Sequence, residues 1–207
     1  MEIILDNIGR RFNKEWIFKH LSYSFSGEDK YAILGPNGSG KSTLLQIIAG
    51  SLTPSEGTIT YTAGQHAVEI DSVFQYTAMA APYLELVEEF TLSELINFHF
   101  SFKRFRSDFD RSRVIDLLGF KNVKNKAVKY FSSGMKQRIR LALAFCSDTP
   151  LILLDEPASN LDAGGINWYH SLLQELSSGR IVVIGSNQEF EYQSCTRQLF
   201  ITDYKNL

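Results

Sequence analysis

The chain has 207 residues, of which 44% are hydrophobic and 21% charged, and its formal net charge is −2. These values are ordinary for a globular protein with a buried core, and the slight negative charge argues against a nucleic-acid partner, whose phosphates call for a basic surface. The longest apolar runs, at residues 151–154 and 181–184, are far too short to cross a bilayer. The first residues lack the features of a signal peptide, and Cys146 and Cys195 indicate neither a disulfide framework nor a metal site. The composition therefore predicts a soluble cytoplasmic protein.

Short apolar runs alternate with helical patterns along the chain, which predicts an α/β fold with a mainly parallel sheet. The predicted strands are residues 2–5, 31–34, 151–154, 181–184 and 198–202. Their continuous apolar character is typical of strands that are covered on both faces. Between residues 57 and 70, apolar and polar residues alternate up to a turn at Gly64, which predicts an antiparallel β subdomain beside the main sheet.

A glycine-rich segment follows the predicted strand at residues 31–34 and precedes a predicted helix at residues 41–49. It reads Gly-Pro-Asn-Gly-Ser-Gly-Lys-Ser-Thr and fits the phosphate-loop pattern, in which bare backbone amides and a helix N-terminus hold phosphate oxygens. Lys41 is expected to reach the β- and γ-phosphates of ATP, and Ser42 to place its hydroxyl on Mg²⁺. The predicted nucleotide-binding residues here are Gly35, Asn37, Gly38, Ser39, Gly40, Lys41, Ser42 and Thr43.

The middle of the chain changes character, and residues 83 to about 135 are predicted to be a mainly helical insert within a core of residues 1–82 and 136–207. Thr91 and Glu94 form a capping-box pattern, residues 107–110 start a second helix, and Gly119 is placed to end it. A stripe of phenylalanines at helical spacing is predicted to belong to the core of the insert; its members are Phe98, Phe102, Phe105 and Phe109.

Two further motifs follow the insert. Residues 131–135 read Phe-Ser-Ser-Gly-Met, and on the residues alone Ser132 is the N-cap of a helix. The apolar run at residues 151–154 ends in Asp155 and Glu156, which places carboxylates at the edge where α/β sheets bind ligands. Asp155 is expected to hold Mg²⁺, and Glu156 to orient and deprotonate an attacking water.

The order of these motifs resembles the ATP-binding domain of ABC-type ATPases, and the resemblance covers nearly the whole chain as a single domain. That family has Leu-Ser-Gly-Gly-Gln where this chain has the relaxed version at residues 131–135. The resemblance implies that Ser132 and Gly134 contact the ATP held by a partner subunit. It also implies that Phe12 stacks on adenine and that Asp162 belongs to a loop crossing the dimer interface, although Phe12 is also explained as core and Asp162 as a helix cap.

Two positions depart from the family pattern. The family has a glutamine after the strand that leads into the insert, but here that position lies near Ala81 and Pro82, and Gln75 comes earlier. Gln75 is expected either to serve as that glutamine, if the intervening segment loops out, or to be a solvent-facing strand residue. The family also has a histidine that contacts the γ-phosphate, and here Asn187 takes its place. An amide still donates a hydrogen bond but carries no positive charge, so Asn187 is expected to act with reduced catalytic power, or to be a polar loop residue.

The resemblance implies an ATP-hydrolysing subunit of an ABC transporter, with ATP and Mg²⁺ as ligands. Its expected partners are a second nucleotide-binding subunit, either a copy of this chain or a paralogue, and a separate membrane-spanning permease. The subunit would sit at the inner face of the membrane through that permease. Residues 83–90 are expected either to contact the permease or to form part of the core of the insert. The alternatives are a mechanochemical ATPase acting on nucleic acid or the ribosome, and a nucleotide-gated binding subunit with little turnover.

Overall fold

The computed structural model describes residues 1–205 and consists of two sheets with helices packed around them. The strands are β1 (Glu2–Phe12), β2 (Glu15–Ser26), β3 (Lys30–Leu34), β4 (Glu56–Ala63), β5 (His66–Ala67), β6 (Thr77–Ala80), β7 (Leu151–Asp155), β8 (Ile181–Ser186) and β9 (Arg197–Phe200). The α-helices are α1 (Lys41–Ile48), α2 (Val73–Tyr76), α3 (Leu92–Phe102), α4 (Arg111–Leu118), α5 (Ser133–Cys146), α6 (Ala163–Leu176) and α7 (Glu189–Tyr192).

Five strands form a parallel sheet in the order β6-β7-β8-β3-β9. Strands β7 and β8 are buried along their whole length, because successive side chains point to opposite, equally covered faces. Leu151 and Leu153 belong to the hydrophobic cluster that contains α1 residues, whereas Ile152 and Leu154 pack in the cluster that contains residues of α5 and α6. The prediction of a mainly parallel, doubly covered sheet is therefore confirmed.

A second, antiparallel sheet has the order β2-β1-β4-β5 and includes the predicted strands near residues 57–70. Its long hairpin of β1 and β2 turns at Asn13, which has a positive φ of 54°. The sequence predicted only residues 2–5 of this hairpin. Register shifts follow Leu5 and Ile8, and Asn7 also has a positive φ, so the period-two alternation that identifies a strand is broken there.

In the helical segment, α3 and α4 begin and end largely where the capping residues predicted that they would. The Thr91 hydroxyl accepts from the Glu94 amide at 3.2 Å and the Glu94 carboxylate accepts from the Thr91 amide at 2.8 Å, which confirms the capping box at the start of α3. The Asp110 side chain is the N-cap of α4, and Gly119 ends that helix with a left-handed φ of 72°. The N-cap of the second helix is thus the last residue of the predicted segment 107–110.

The phenylalanine stripe is not a core stripe, contrary to the prediction. Helix α3 ends at Phe102, so Phe105 and Phe109 lie outside it and are only partly buried against the core clusters. Phe98 is 44% and Phe102 68% exposed, and their rings pack edge to face with centroids 5.3 Å apart. The inward face of α3 is instead formed by Leu92, Leu95 and Ile96, which leaves both phenylalanines at its margin.

His99 on α3 joins the helical segment to the end of α5 through a polar contact. Its Nε2 lies 3.0 Å from the Ser147 hydroxyl, and that hydroxyl donates to the Leu143 carbonyl at 2.7 Å, so the histidine nitrogen is the donor. Burial, assisted by the positive charge of Lys103, lowers the pKa of His99 to about 4. The imidazole is therefore neutral at physiological pH.

The low pKa of His99 predicts an acid-sensitive fold. Because a histidine in the unfolded chain titrates near pH 6.5, the unfolded state binds more protons between about pH 6.5 and 4, and the stability lost across this window is about 3 kcal/mol. Urea unfolding at pH 7 and pH 4.5 should show a smaller loss for His99→Gln, which keeps a donor for Ser147 and does not titrate. Equal losses in both proteins would contradict this assignment.

Candidate functional site

The predicted motifs meet at one edge of the parallel sheet. Strands β7, β8 and β3 are neighbours and run in the same direction, so their carboxyl ends lie side by side. Asp155 ends β7, Asn187 follows β8, and the loop of residues 35–40 follows β3 and leads into α1. This edge is the position at which open α/β sheets bind ligands.

The loop of residues 35–40 wraps closely around the start of α1, which is possible because its glycines lack side chains. Gly40 has a φ of 108°, and a Cβ built on it would lie 2.5 Å from the Ile17 Cγ2. The first turn of α1 contributes backbone amides that have no partner within the helix. A cavity of about 190 Å³ lies in front of this turn and is lined by residues 37–43, Ile17 and Glu156. Converging amides in such a concavity suit an anion.

Lys41 is only 5% exposed although its side chain carries a charge. Its ammonium donates to the Gly35 carbonyl at 2.8 Å and to the Pro36 carbonyl at 3.2 Å, inside the curve of the loop. Burial raises the pKa of the Asp155 carboxyl, and the Lys41 charge is near enough to offset a small part of that rise. The loop therefore presents one cation together with its amides.

Asp155 is 2% exposed, and among residues 1–205 neither of its carboxylate oxygens has a hydrogen-bond partner. Burial raises the pKa of Asp155, and the Ser42 and Tyr83 hydroxyls partly offset this without making a well-formed hydrogen bond to the carboxylate. An unpaired buried carboxylate is costly unless a cation faces it. Asp155 and Ser42 offer the hard oxygen ligands that Mg²⁺ prefers.

A magnesium ion at this point would need further ligands from a bound molecule. Within the described part of the chain, no three His, Cys, Asp or Glu side chains cluster as a site made of protein groups alone would require. Mg²⁺ is commonly bound by one or two protein oxygens together with phosphate oxygens and water. The residues present therefore fit a metal that arrives with a phosphate compound.

Tyr83 is a site residue that the sequence reasoning placed only in a docking surface. Its hydroxyl lies near Gln46 of α1 and near Asp155, and partial burial together with the Asp155 charge raises the pKa of Tyr83 to about 12. It is therefore a neutral donor beside the unpaired carboxylate. The sequence feature that could have identified Tyr83 is its position shortly after β6. The residues after β6 reach the same edge of the sheet as the end of the adjacent parallel strand β7.

Gln75 does not lie at this edge. It is an exposed residue of α2, which precedes β6, whereas the site is at the carboxyl end of that strand. Gln75 therefore does not serve as the family's glutamine. It is exposed to solvent, as the other interpretation expected, but it lies in a helix and not in a strand. The segment after β6 begins instead with Ala81 and Pro82 and brings Tyr83 toward Asp155.

Glu156 and Asn187 share a second cavity, of about 320 Å³, with Asn37 of the glycine-rich loop. The Glu156 amide donates to the Gly185 carbonyl at 2.9 Å, and Glu156 has a positive φ of 42°. The Asn187 amide donates to the Asn37 side-chain oxygen at 3.1 Å, so it reaches across to the loop. Two groups with acid–base or donor chemistry thus face the same space beside the loop.

The remaining predicted residues lie elsewhere on the chain. The Ser132 hydroxyl accepts from the Met135 amide at 3.2 Å and the Asp162 carboxylate accepts from the Gly165 amide at 2.7 Å, which confirms both as N-caps. Phe12 is exposed at the end of β1, with the Arg10 guanidinium 4.6 Å from its ring centre. The linings of the two cavities, as described for residues 1–205, do not include these residues or Gly134.

Gly134 has a packing role within its own subunit. A Cβ built on it would lie 2.7 Å from the backbone carbonyl oxygen of Asn160. Asn160 itself has a positive φ of 64° and lies in the segment between Glu156 and the Asp162 cap. The start of α5 therefore touches the segment that follows the β7 carboxylates, and only glycine allows this approach.

Comparison with known proteins shows what the chain is similar to. The family model described as "ABC transporter" matches residues 18–159. The chain is 30% identical to the ABC transporter ATP-binding protein YybJ of Bacillus subtilis, over 88% of this chain and 84% of that protein. It is 27% identical to the cytochrome c biogenesis ATP-binding export protein CcmA of Rhizobium etli, over 91% of this chain and 89% of that protein.

Other relatives are longer, and solved structures agree on the fold. The chain is 32% identical to the sulfate/thiosulfate import ATP-binding protein CysA of Mesostigma viride, but it spans only 56% of that protein's length. A putative ABC transporter ATP-binding protein of Pyrococcus furiosus superposes with a TM-score of 0.82 at 21% identity, covering all of both chains. A dimeric ATP-binding cassette in a post-hydrolysis state, bound to ADP and Pi, superposes with a TM-score of 0.81 at 22% sequence identity. The match covers 96% of this chain and 93% of that one.

No helix within residues 1–205 is both long and apolar enough to span a bilayer. The family model covers well over half of the chain, and the similarity to full-length ATP-binding proteins extends along nearly all of it. The chain therefore belongs to the ABC transporter family, among its ATP-binding proteins.

Proposed function

We propose that this chain binds MgATP at residues 35–43 and hydrolyses it to power a transporter whose membrane-spanning part is a separate chain. The observation that carries the proposal is the buried, unpartnered carboxylate of Asp155 beside Ser42 at the start of α1. A glycine-rich loop alone suits many anions, whereas a loop with a facing carboxylate suits a phosphate compound that brings its own metal.

The loop residues bind and orient the triphosphate in this proposal. Gly35, Asn37, Gly38, Ser39, Gly40 and Thr43 supply a close-fitting backbone, and Lys41 supplies the charge that reaches the outer phosphates. Ser42 and Asp155 would hold Mg²⁺, which supplies positive charge against the phosphate oxygens. The burial of Lys41 and Asp155 supports this, because both charges are already withdrawn from water.

Glu156 is the proposed general base, and Asn187 the proposed donor to the transferred phosphate. Glu156 would orient an attacking water and take up its proton. Their common cavity beside the loop supports these roles, as does the Asn187 contact with Asn37. An asparagine donates a neutral hydrogen bond only, so the chain is proposed to turn over ATP slowly.

Asn187→Ala is expected to lower ATP turnover about three- to tenfold, the loss of one neutral hydrogen bond in the transition state. Asn187→His should raise turnover above the wild type, because imidazole is a longer donor that can also carry positive charge. Phosphate release at saturating ATP measures both effects. If Asn187→Ala hydrolyses ATP as fast as the wild type, Asn187 is only a polar loop residue.

A second nucleotide-binding subunit is proposed to complete the site. Ser132 and Gly134 would contact the ATP of the partner subunit, Asp162 would lie at the interface, and Phe12 would stack on adenine. Their position outside the chain's own cavities supports a role across an interface. The solved cassette that is dimeric supports a pair of such units.

The permease is proposed to bind the segment of residues 83–90 at the border of the helical insert, about residues 83–135. Tyr83, Leu84 and Val87 expose apolar surface, whereas Leu86 and Phe90 pack against the core of the insert. Glu88 pairs with Lys136 at 2.5 Å, which fixes the segment to α5. Through this partner the chain would sit at the cytoplasmic face of a membrane.

The proposed function is tested by purifying the protein from gently solubilised membranes and measuring its ATPase activity. An integral membrane protein should accompany the chain, and phosphate release should depend on Mg²⁺. Recovery with nucleic acid or ribosomes instead would favour a mechanochemical ATPase. Tight binding of ATP without turnover would indicate a nucleotide-gated binding subunit. This is the second candidate function, and the neutral side chain of Asn187 supports it.

A further inference from the structure

Glu191 on α7 is a buried carboxylate to which the proposed mechanism assigns no role. The residue is only 2% exposed, and burial raises its pKa. Within residues 1–205 it forms no ion pair, so only hydrogen-bond donors are available to stabilise its ionised form. Burying an ionised group in this way is unfavourable unless hydrogen bonds compensate for the lost hydration.

Each oxygen of the carboxylate accepts one hydrogen bond, and the two donors come from different segments. Oε1 accepts from the Ala158 backbone amide at 2.7 Å. Oε2 accepts a short hydrogen bond from the Ser186 hydroxyl. The Ser186 oxygen in turn accepts from the Gln188 amide at 2.9 Å, and the Glu191 carbonyl accepts from the Tyr169 hydroxyl at 2.8 Å.

These two segments are the ones that carry the proposed chemistry. Ala158 lies two residues after Glu156, at the beginning of the loop that ends at the Asp162 cap. Ser186 directly precedes Asn187 at the end of β8. One carboxylate therefore joins the loop after the proposed base to the strand end with the proposed phosphate donor. The lining of their common cavity also includes Glu191.

The backbone conformation of Glu156 explains why a carboxylate acceptor is useful at the position of Glu191. Glu156 has a left-handed φ of 42°, which is unfavourable for a residue with a side chain and needs surrounding contacts to hold it. The backbone bond from Glu156 to Gly185 fixes the segment at one point, and the Ala158 bond fixes it at a second. Hydrogen bonds to a carboxylate are stronger than neutral ones, so they suit this task.

We infer that Glu191 is a positioning residue that holds Glu156 and Asn187 in one arrangement by bridging Ala158 and Ser186. The inference rests on the proposed function and extends it, because it assigns no contact with nucleotide to Glu191. Loss of the bridge disturbs the relative placement of base and donor, which matters for the hydrolytic step. It leaves the glycine-rich loop and Lys41 in place, so nucleotide affinity is retained.

Glu191→Gln tests the inference, since it keeps the shape and one acceptor and removes the charge. Ser186→Ala removes the other arm of the bridge without touching Glu191. Each variant is expected to lower the turnover number about tenfold, with the dissociation constant for MgATP within twofold of the wild type. Glu189→Gln is the matched control, because Glu189 is an exposed acidic residue of the same helix.

A double variant separates positioning from simple structural support. If Glu191 acts through Asn187, adding Asn187→Ala to Glu191→Gln should cost less than the product of the two single effects. Turnover reduced less than threefold in folded Glu191→Gln and Ser186→Ala would overturn the inference, as would weaker nucleotide binding with unchanged turnover. If Glu191→Gln does not fold, Ser186→Ala alone decides. A wild-type protein that does not hydrolyse ATP would instead remove the proposed function.

Discussion

Glu156→Gln is expected to reduce ATP turnover by about 10² to 10⁴-fold, the usual contribution of a general base. Glutamine has the same shape as glutamate but cannot take up a proton from water. The contact that fixes this position, from the Glu156 amide to the Gly185 carbonyl, is a backbone bond that the substitution leaves intact. Nucleotide affinity should therefore stay within a few-fold of the wild type.

Phosphate release under saturating MgATP, together with a direct binding titration, measures the two quantities separately. Glu175→Gln is a suitable control, because Glu175 is an exposed acidic residue on α6. Glu156→Gln should bind ATP and remain in the ATP-bound state. Turnover within tenfold of the wild type would show that another group removes the proton.

Lys41→Ala is expected to weaken MgATP binding about 10- to 100-fold, the effect of losing one charge-assisted contact. The ammonium is buried in the loop, where it braces the Gly35 and Pro36 carbonyls. Removing it deletes both the charge that faces the phosphates and a support of the loop itself. Affinity should fall more than turnover at saturating nucleotide.

A second substitution separates the loss of the ammonium from the loss of side-chain volume. Lys41→Met fills the same volume without a charge, so it preserves packing but cannot donate to the carbonyls. Both variants should bind MgATP weakly while unfolding at temperatures close to the wild type. Wild-type affinity in Lys41→Met would mean that backbone amides alone hold the phosphates, and the assignment of Lys41 would be wrong.

The parts of the molecule that the sequence predicted well are those with strong local chemistry. The central strands β7 and β8 are continuous apolar runs, and the cap of α3 is made by side chains three residues apart. The glycine-rich loop and the carboxylates after β7 could be placed at one edge because parallel strands end together. Such features depend on neighbours in the chain or on one topological rule.

The features that the sequence did not predict depend on distant contacts. Tyr83 is near Asp155 because β6 lies beside β7, although more than seventy residues separate these side chains. Gln75 has a suitable side chain, but it precedes the strand rather than following it. The Glu191 bridge to Ala158 and Ser186 likewise has no sequence pattern. Tertiary packing decides each of these cases.

The contact of Gly134 with the Asn160 carbonyl also constrains how two subunits could meet. Because no side chain separates them, the first turn of α5 and the stretch that leads to Asp162 are in direct contact. In the proposed pair, the residues expected to contact the partner's ATP, Ser132 and Gly134, would therefore adjoin the segment that leads to Asp162, which is expected at the interface.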